Sequence, residues 1–292
     1  MRWRGGRQSD NIEDLRGRTG GGGGGGGGLK FGLGGLIAIA AAYFLGIDPR
    51  VVLGLMEATG VGSSGPATVQ DEQTAPPQDE LGQFISTVLA STEDTWSAQF
   101  QAAGRQYEPP RLRFFTGQVQ SGCGAAGAEM GPFYCPLDRR VYIDLGFYRE
   151  LDQRFGAPGD FAQAYVIAHE VGHHIQNLLG IADKVHGARQ QASSEEEGNQ
   201  LQVRMELQAD CLAGVWAHDS QRSQQWLEPG DLEEALGAAA AVGDDLIQKR
   251  TQGRVVPESF THGSAAQRQR WFRSGFETGQ TTACDTFAVR AL

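Results

Sequence analysis

The sequence predicts an α+β fold, mainly helical with a small β-sheet, preceded by one transmembrane helix. Three observations support this fold class. Apolar residues in 79–100 recur mostly three or four positions apart, which is the spacing of one helix face. Two short segments, 111–119 and 139–147, are rich in β-branched and aromatic residues, which is typical of strands. Residues 31–47 carry no charge, which indicates a membrane span.

The uncharged segment is seventeen residues long. As a helix it would extend about 25 Å, against roughly 30 Å for the hydrocarbon core of a bilayer. Basic residues outnumber acidic ones in 1–30, so the positive-inside rule places 1–30 in the cytoplasm and the residues after 47 outside a bacterial inner membrane. We therefore predict a single-pass, uncleaved anchor. A cleaved signal peptide and a buried core helix are the alternatives.

These features divide the chain into four segments. Residues 1–30 form a basic tail that ends in a low-complexity run of glycine, and residues 31–47 form the transmembrane helix. Residues 48–78 form a linker, and its part 57–78 is small, polar and proline-rich. Residues 79–292 are long enough to form one domain with its own hydrophobic core.

The formal net charge of the chain is −10, and the part after residue 30 is the acidic part. A protein that binds nucleic acid needs clustered lysine and arginine to neutralise phosphates. The composition therefore predicts that nucleic acid is not a partner.

The chain has four cysteines, which allow three pairings. Cys123 and Cys135 flank a glycine-rich turn and would close a short loop, which leaves Cys211 to pair with Cys284. None of the spacings is CxxC, which disfavours a zinc knuckle. Disulfides fit an exported domain, whereas an inverted topology would leave the cysteines reduced.

The segment 161–179 is predicted to be one helix, and it contains the pattern HExxH. Residues four apart lie on one helix face, so His169 and His173 are placed to bind one zinc ion. Glu170 lies beside the first histidine, where its carboxylate can take a proton from metal-bound water and pass it to a leaving amine. The sequence therefore predicts a catalytic site with one zinc ion per chain.

A catalytic zinc site needs a third protein ligand. Glu206 and Asp210 lie four apart in a second predicted helix, so Glu206 is the candidate third ligand. Asp210 on the same face can accept the second ring N–H of a ligating histidine. The alternative is a solvated helix face, but the apolar residues around this pair indicate that the helix is packed.

Stabilisation of a substrate oxyanion needs a hydrogen-bond donor opposite Glu170. The candidates are His262, Arg268 and Tyr134, and we take His262 as the catalytic candidate. A capping or loop histidine is the alternative role for His262. His174 points about 100° away from its neighbour, so we predict a surface or supporting position for it rather than a metal ligand.

Several segments of the sequence resemble those of the bacterial neutral zinc metallopeptidase family. The two ligand motifs resemble those of gluzincin-type enzymes. The segments are GPFYCPLDRRVYIDLGF, AHEVGHHIQNLLG, ELQADCLAGVWA and THGSAAQRQRWF. The resemblance implies a zincin-like domain with His169 and His173 as zinc ligands, Glu170 as base and Glu206 as third ligand. THGSAAQR is also similar to a segment of the membrane CaaX-type proteases, which implies a role for His262 or Arg268, although those proteases usually have THP.

The resemblance also implies that GPFYCPLDRRVYID supplies an edge strand that holds an extended polypeptide beside the cleft, braced by the first cysteine pair. Together these features predict a membrane-anchored, outward-facing zinc metallopeptidase that hydrolyses peptide bonds of proteins or peptides. One alternative is a catalytically silent, zinc-stabilised envelope protein that binds polypeptide. A structural envelope protein that binds no metal is the other.

Overall fold

The computed structural model describes residues 1–16 and 76–292. Within these ranges the strands are β1 (Ile12–Asp14), β2 (Arg111–Phe115), β3 (Gln118–Ser121), β4 (Gly124–Gly127), β5 (Phe133–Cys135) and β6 (Arg140–Asp144). The α-helices of the same ranges are α1 (Glu80–Ala102), α2 (Phe147–Gln153), α3 (Asp160–Leu178), α4 (Ile181–Gln190), α5 (Glu195–Gln224), α6 (Asp231–Ala241), α7 (Asp244–Gln252) and α8 (Ala265–Thr278). The prediction of a mainly helical α+β domain is confirmed.

The main sheet has the strand order β1-β2-β6-β5. β1, β2 and β6 are parallel, whereas β5 pairs with β6 in the antiparallel direction and ends the described sheet. β3 and β4 form a separate antiparallel hairpin, and the Cys123–Cys135 disulfide ties this hairpin to β5. The second predicted disulfide, Cys211–Cys284, is also present, and it joins α5 to the 3-10 turn that follows α8.

The helical layer is built around α3 and α5, whose inward faces are almost fully buried. α5 also crosses α8 at a very short distance, because glycines face the opposing backbone on both helices. A Cβ atom on Gly214 would overlap the carbonyl oxygen of Phe272, and a Cβ atom on Gly275 would overlap that of Cys211. This crossing brings α8 against the helix that holds Glu206.

Residues 1–16 are part of this domain, so the prediction of a separate basic tail over 1–30 is wrong for these residues. β1 pairs with β2 in register, with Ile12 opposite Leu112. The buried carboxylate of Glu13 lies 2.6 Å from a guanidinium nitrogen of Arg113 and 3.2 Å from Arg140 Nε. The ring of Trp3 packs edge-on against the ring of Phe84 in α1, at a centroid distance of 5.3 Å. The net charge of this segment does not reveal the packing. The basic side chains Arg2 and Arg4 face outward, while the apolar Met1 and Trp3 between them are buried.

Two strands that share hydrogen bonds cannot be separated by a membrane. The pairing of β1 with β2 therefore places residues 1–16 and 76–292 on the same side of any membrane, which conflicts with the prediction of opposite sides for 1–30 and the domain. The predicted span, 31–47, and most of the predicted linker lie outside the described residues. In the part of the chain that the structure describes, no helix is both long enough and apolar enough to cross a bilayer.

The first helix of the second described range begins close to residue 79, where the sequence predicts the start of the folded domain. Asp79 caps α1, because its side chain accepts a hydrogen bond of 2.9 Å from the backbone N–H of Gly82.

Candidate metal centre

Three side chains from α3 and α5 meet at one point inside the domain. The candidate ligand atoms of His169, His173 and Glu206 all lie within 4.8 Å of one another. Glu206 Oε2 is 3.2 Å from His169 Nε2 and 3.5 Å from His173 Nε2. Two imidazoles and one carboxylate form the donor set of a catalytic zinc site. The structure therefore brings together the three side chains that the sequence predicted as ligands.

The outer ring nitrogens of both histidines are held by acceptors. His169 Nδ1 is 2.8 Å from Asp210 Oδ1, and His173 Nδ1 is 2.9 Å from Gln176 Oε1. Each Nδ1 therefore carries a proton, while each Nε2 faces the carboxylate of Glu206 at the centre. A zinc ion would take the place of the proton on each Nε2, and metal-bound imidazoles usually donate their second N–H to such an acceptor.

Asp210 is the centre of a buried network behind His169. Arg268 donates to both carboxylate oxygens, from Nε at 2.8 Å and from Nη2 at 2.9 Å, and the hydroxyl of Tyr165 donates at 2.5 Å. Burial raises the pKa of Asp210, but Arg268 and His169 outweigh it and hold that pKa at about 2. Burial lowers the pKa of His169, but Asp210 outweighs it and raises that pKa to about 9. Asp210 therefore stays ionised and holds the ring of His169.

Electrostatics also distinguish Glu206 from Glu170. Burial opposes ionisation of Glu206, but His173 and His169 outweigh it and hold the pKa of Glu206 well below its usual range. Burial raises the pKa of Glu170, against the opposing effect of both histidines. One glutamate is therefore suited to bind a cation, and the other to exchange a proton.

Glu170 is buried at the site, and its carboxylate accepts no hydrogen bond from the described residues. Nearby, the hydroxyl of Tyr148 on α2 is buried and has no hydrogen-bond partner within the described ranges. Burial raises the pKa of Tyr148, and the negative charge of Glu170 raises it further. The site therefore contains an uncommitted carboxylate, and an uncommitted hydroxyl lies within electrostatic reach of that carboxylate.

His262 lies in the loop before α8, which Asp244 at the start of α7 holds in place. Asp244 Oδ2 accepts hydrogen bonds of 2.7, 2.6 and 3.0 Å from the backbone N–H groups of Thr261, His262 and Gly263. Asp244 Oδ1 is 3.3 Å from His262 Nδ1. His262 contributes to the low pKa of Glu206, so its ring lies within electrostatic reach of the centre. Asp244 therefore orients the imidazole that the sequence predicted as an oxyanion donor.

A family model described as "Putative neutral zinc metallopeptidase" matches residues 1–287. The chain belongs to this family. Within the family, Uncharacterized protein YpfJ of Escherichia coli (strain K12) is 51% identical over 295 residues, which cover 98% of this chain and 99% of YpfJ. Uncharacterized protein Mb2605 of Mycobacterium bovis is 43% identical over 269 residues, which cover 86% of each chain. No solved structure gives a significant match. Membership implies zinc as the metal, and the donor set at the centre agrees with it.

The structure removes two of the three candidate oxyanion donors. Arg268 lies behind His169, where both oxygens of Asp210 hold its guanidinium. Tyr134 donates to His174 Nδ1 at 3.0 Å and accepts from Asn177 Nδ2 at 2.9 Å. Both groups are therefore already hydrogen-bonded within the fold, and His262 is the remaining candidate of the three.

His174 is fully buried, so the prediction of a surface position is wrong, although its ring lies outside the candidate ligand set as predicted. Its Nε2 donates to the backbone carbonyl of Glu108 at 2.7 Å, and its Nδ1 accepts from Tyr134. Both bonds fit the neutral ring, and burial lowers the pKa of His174 to about 4. His174 therefore joins α3 to β5 and to the chain before β2.

Sequence reasoning missed Gln176, Tyr148 and Asp244. Gln176 lies three residues after His173 on the same helix face, so its spacing was a usable signal. The other two come from separate elements, and no local pattern connects them to the HExxH motif.

Proposed function

We propose that this chain is a zinc-dependent metallopeptidase that hydrolyses peptide bonds of proteins or peptides. One observation carries the proposal. Three ligand atoms of His169, His173 and Glu206 converge, with the outer nitrogen of each histidine held by an acceptor, beside the uncommitted carboxylate of Glu170. A site that only stabilised the fold would have no use for an additional buried carboxylate that the protein leaves without a hydrogen bond.

In the proposed mechanism, His169, His173 and Glu206 hold one zinc ion. Zinc, when bound, acidifies a coordinated water and polarises the scissile carbonyl. Glu170 takes a proton from the attacking water and delivers it to the leaving amine, a role that its raised pKa supports. His262, held by Asp244, donates a hydrogen bond to the carbonyl oxygen as negative charge develops on it.

The substrate is an extended polypeptide that pairs with β5. In the described sheet, β5 is an edge strand, so its outer backbone groups are not used by another described strand. The strand is held close to the site, because Tyr134 in β5 bonds to His174 in α3. The Cys123–Cys135 disulfide braces it from the other side.

The test compares the full chain with its Glu170→Gln variant on a peptide library, with and without chelator. We expect the variant to bind zinc with the wild-type stoichiometry while hydrolysis falls about 100- to 10,000-fold, because the base is lost. Glu195→Gln, at the exposed start of α5, is the matched control and should keep full activity. Full activity in Glu170→Gln with zinc bound would contradict the mechanism. Zinc binding by the wild type without any hydrolysis would favour the polypeptide-binding alternative.

We further propose that the domain, including residues 1–16, lies outside the cytoplasm. The two disulfides support an oxidising compartment. Attachment of the chain to a membrane through residues 31–47 stays a prediction. A single pass there would put β1 and β2 on opposite sides of the membrane, so the pairing of these strands conflicts with a spanning helix. Arg4→Cys and Lys249→Cys, each at an exposed position, can be tested with a membrane-impermeant thiol reagent on intact cells. We expect labelling at both sites, whereas labelling only after lysis would place the domain in the cytoplasm.

A further inference from the structure

A chain of buried hydrogen bonds starts at the outer nitrogen of His173. Its Nδ1 donates to Gln176 Oε1 at 2.9 Å. The amide nitrogen of Gln176 donates to the backbone carbonyl of Met205 at 2.7 Å and to Gln208 Oε1 at 3.1 Å. Because the amide nitrogen faces two acceptors, the amide oxygen must face His173. The orientation of one candidate zinc ligand is therefore set by Gln176, which is set in turn by α5.

The next bond in this chain leads to a disulfide. The amide nitrogen of Gln208 donates to the backbone carbonyl of Cys284 at 3.0 Å. Cys284 ends the 3-10 turn Thr281–Cys284, and its sulfur is bonded to Cys211, which lies on the same face of α5 as Gln208. The disulfide, together with the hydrogen bonds between Arg204 and Thr286, therefore holds the carbonyl that orients Gln208, within one helical turn of the metal centre.

Burial makes each of these contacts matter. Gln176 and Cys211 are completely buried, Cys284 is 1% exposed and Gln208 is 7% exposed, so water does not compete freely for their polar groups. If the carbonyl of Cys284 moved away, the amide of Gln208 would lose its acceptor in the interior. It would then have to turn or draw in water, and its oxygen would no longer be held toward Gln176.

We propose that Gln176 and Gln208 are positioning residues for His173, and that the Cys211–Cys284 disulfide makes metal affinity dependent on its oxidation state. The proposal rests on the proposed function, because it assumes that His173 is a zinc ligand. His169 is held separately, by Asp210, which Arg268 holds in turn. The oxidation state of the disulfide therefore affects the metal site only through His173.

Reduction would break the link in a balanced two-electron step. A thiolate of a dithiol attacks one sulfur of the disulfide, the S–S bond breaks, and a mixed disulfide forms. The second thiolate of the reductant then releases the remaining cysteine thiolate and closes a cyclic disulfide. The two cysteine thiolates take up protons. Since both sulfurs are buried, the reagent reaches them when the turn Thr281–Cys284 opens away from α5.

The test measures zinc affinity by chelator competition and the visible absorption spectrum of the Co²⁺-substituted protein, which reports ligand geometry without any turnover. We expect Gln176→Met to weaken zinc binding by about 10- to 100-fold, the range for loss of a supporting partner of a metal ligand. Gln208→Met should weaken it in the same direction by a smaller factor. Both variants should change the Co²⁺ spectrum. In Gln176→Glu, a carboxylate acceptor for the His173 N–H should recover part of the affinity lost in Gln176→Met.

The disulfides provide a matched comparison. Replacing both Cys211 and Cys284 by alanine should lower zinc affinity by a factor similar to that of Gln208→Met. Replacing both Cys123 and Cys135 by alanine removes a disulfide that lies outside the chain of hydrogen bonds, and it should leave zinc affinity unchanged. Wild-type protein treated with a dithiol should reproduce the loss and regain affinity on reoxidation.

A double-mutant cycle gives the sharpest result. If the disulfide acts through Gln208, then Gln208→Met should add no further loss in the protein that lacks Cys211–Cys284. Additive losses would overturn the proposed link, and wild-type affinity in both glutamine variants would overturn their positioning role. If the disulfide-free protein does not fold, Gln208→Met with the disulfide intact carries the test. A wild-type protein that binds no zinc would instead refute the proposed function itself.

Discussion

Gly172 lies against Ala209, where α3 crosses α5 beside the metal centre. A Cβ atom on Gly172 would be 3.0 Å from both the Cα and the carbonyl oxygen of Ala209. Real side chains rarely approach backbone this closely, so the glycine between the two HExxH histidines sets the separation of the two helices. That separation allows Glu206 to reach both imidazoles.

We predict that Gly172→Ala lowers both zinc affinity and the free energy of unfolding. The added methyl group must push against backbone, and overpacking of this kind costs about 1–3 kcal/mol. Over most of that range the cost exceeds the gain of about 1 kcal/mol in helix propensity, because the contact is with backbone. Gly237→Ala on α6 is the control, because a Cβ atom there meets nothing within 4 Å. Urea unfolding and chelator competition measure both quantities, and a more stable Gly172→Ala with wild-type zinc affinity would contradict the prediction.

The second prediction concerns the oxyanion donor. We expect His262→Ala to keep its zinc and to lose about 100- to 1,000-fold in kcat, because the donor acts on charge that develops in the transition state. Asp244→Asn should also lower kcat, since the ring of His262 loses its ionised partner. His186→Ala, at an exposed position on α4, is the control for removal of a histidine. An unchanged kcat in His262→Ala would assign the role elsewhere, with the unpartnered hydroxyl of Tyr148 as the next group to test.

The third prediction tests the docking of residues 1–16. Glu13→Gln removes a buried carboxylate that pairs with Arg113 and Arg140, whose side chains are also buried. Breaking such a pair typically costs about 3–5 kcal/mol, because the remaining charges lose their counter-ion. The exposed pair of Arg4 with Glu80 is the control, and Glu80→Gln should change stability by less than about 1 kcal/mol. Equal effects of the two substitutions in urea unfolding would show that β1 is not part of the stable domain.

The fourth prediction is a pH dependence from His174. Its pKa is about 4 in the folded protein, against an ordinary value of 6.5, so the unfolded chain binds a proton first as the pH falls. Stability from this residue is therefore complete above pH 6.5 and is lost between pH 6.5 and about 4, with a total near 3 kcal/mol. The variant His174→Gln should show a flatter decline in unfolding free energy over this window.

The measurement for His174 is made in chelator, so that metal release does not contribute to the slope. His186→Ala is again the control, and it should decline as steeply as the wild type, because its side chain is exposed. A His174→Gln protein with the wild-type slope would show that other groups cause the acid sensitivity.

Much of the candidate site could be predicted because its signals are local. An α-helix places residues four apart on one face. HExxH therefore predicted the two histidine ligands, and the pair Glu206 and Asp210 predicted the third ligand and its supporting carboxylate. The short loop between Cys123 and Cys135 favoured one of the three possible cysteine pairings, and the structure has that pairing. The helical spacing of apolar residues likewise predicted α1 with its start at Asp79.

The errors came from residues whose partners lie far away in the chain. Arg268 and Tyr134 can both donate hydrogen bonds to an oxyanion. Only the packing of α8 and β5 showed that Arg268 already donates to Asp210 and that Tyr134 already donates to His174. The charges of residues 1–16 suggested a solvated tail, because composition does not reveal which side chain of an alternating segment faces inward.

The sequence by itself determined the ligand types and their spacing, since these depend on covalent order and helix geometry, and it favoured one cysteine pairing of three. Only the tertiary structure decided that residues 1–16 complete the sheet, that Gly172 brings two helices together, and that Gln208 connects a zinc ligand to a disulfide. The physical reason is that hydrogen bonds and close contacts between distant segments arise from how the whole core packs, and no short stretch of sequence contains both partners.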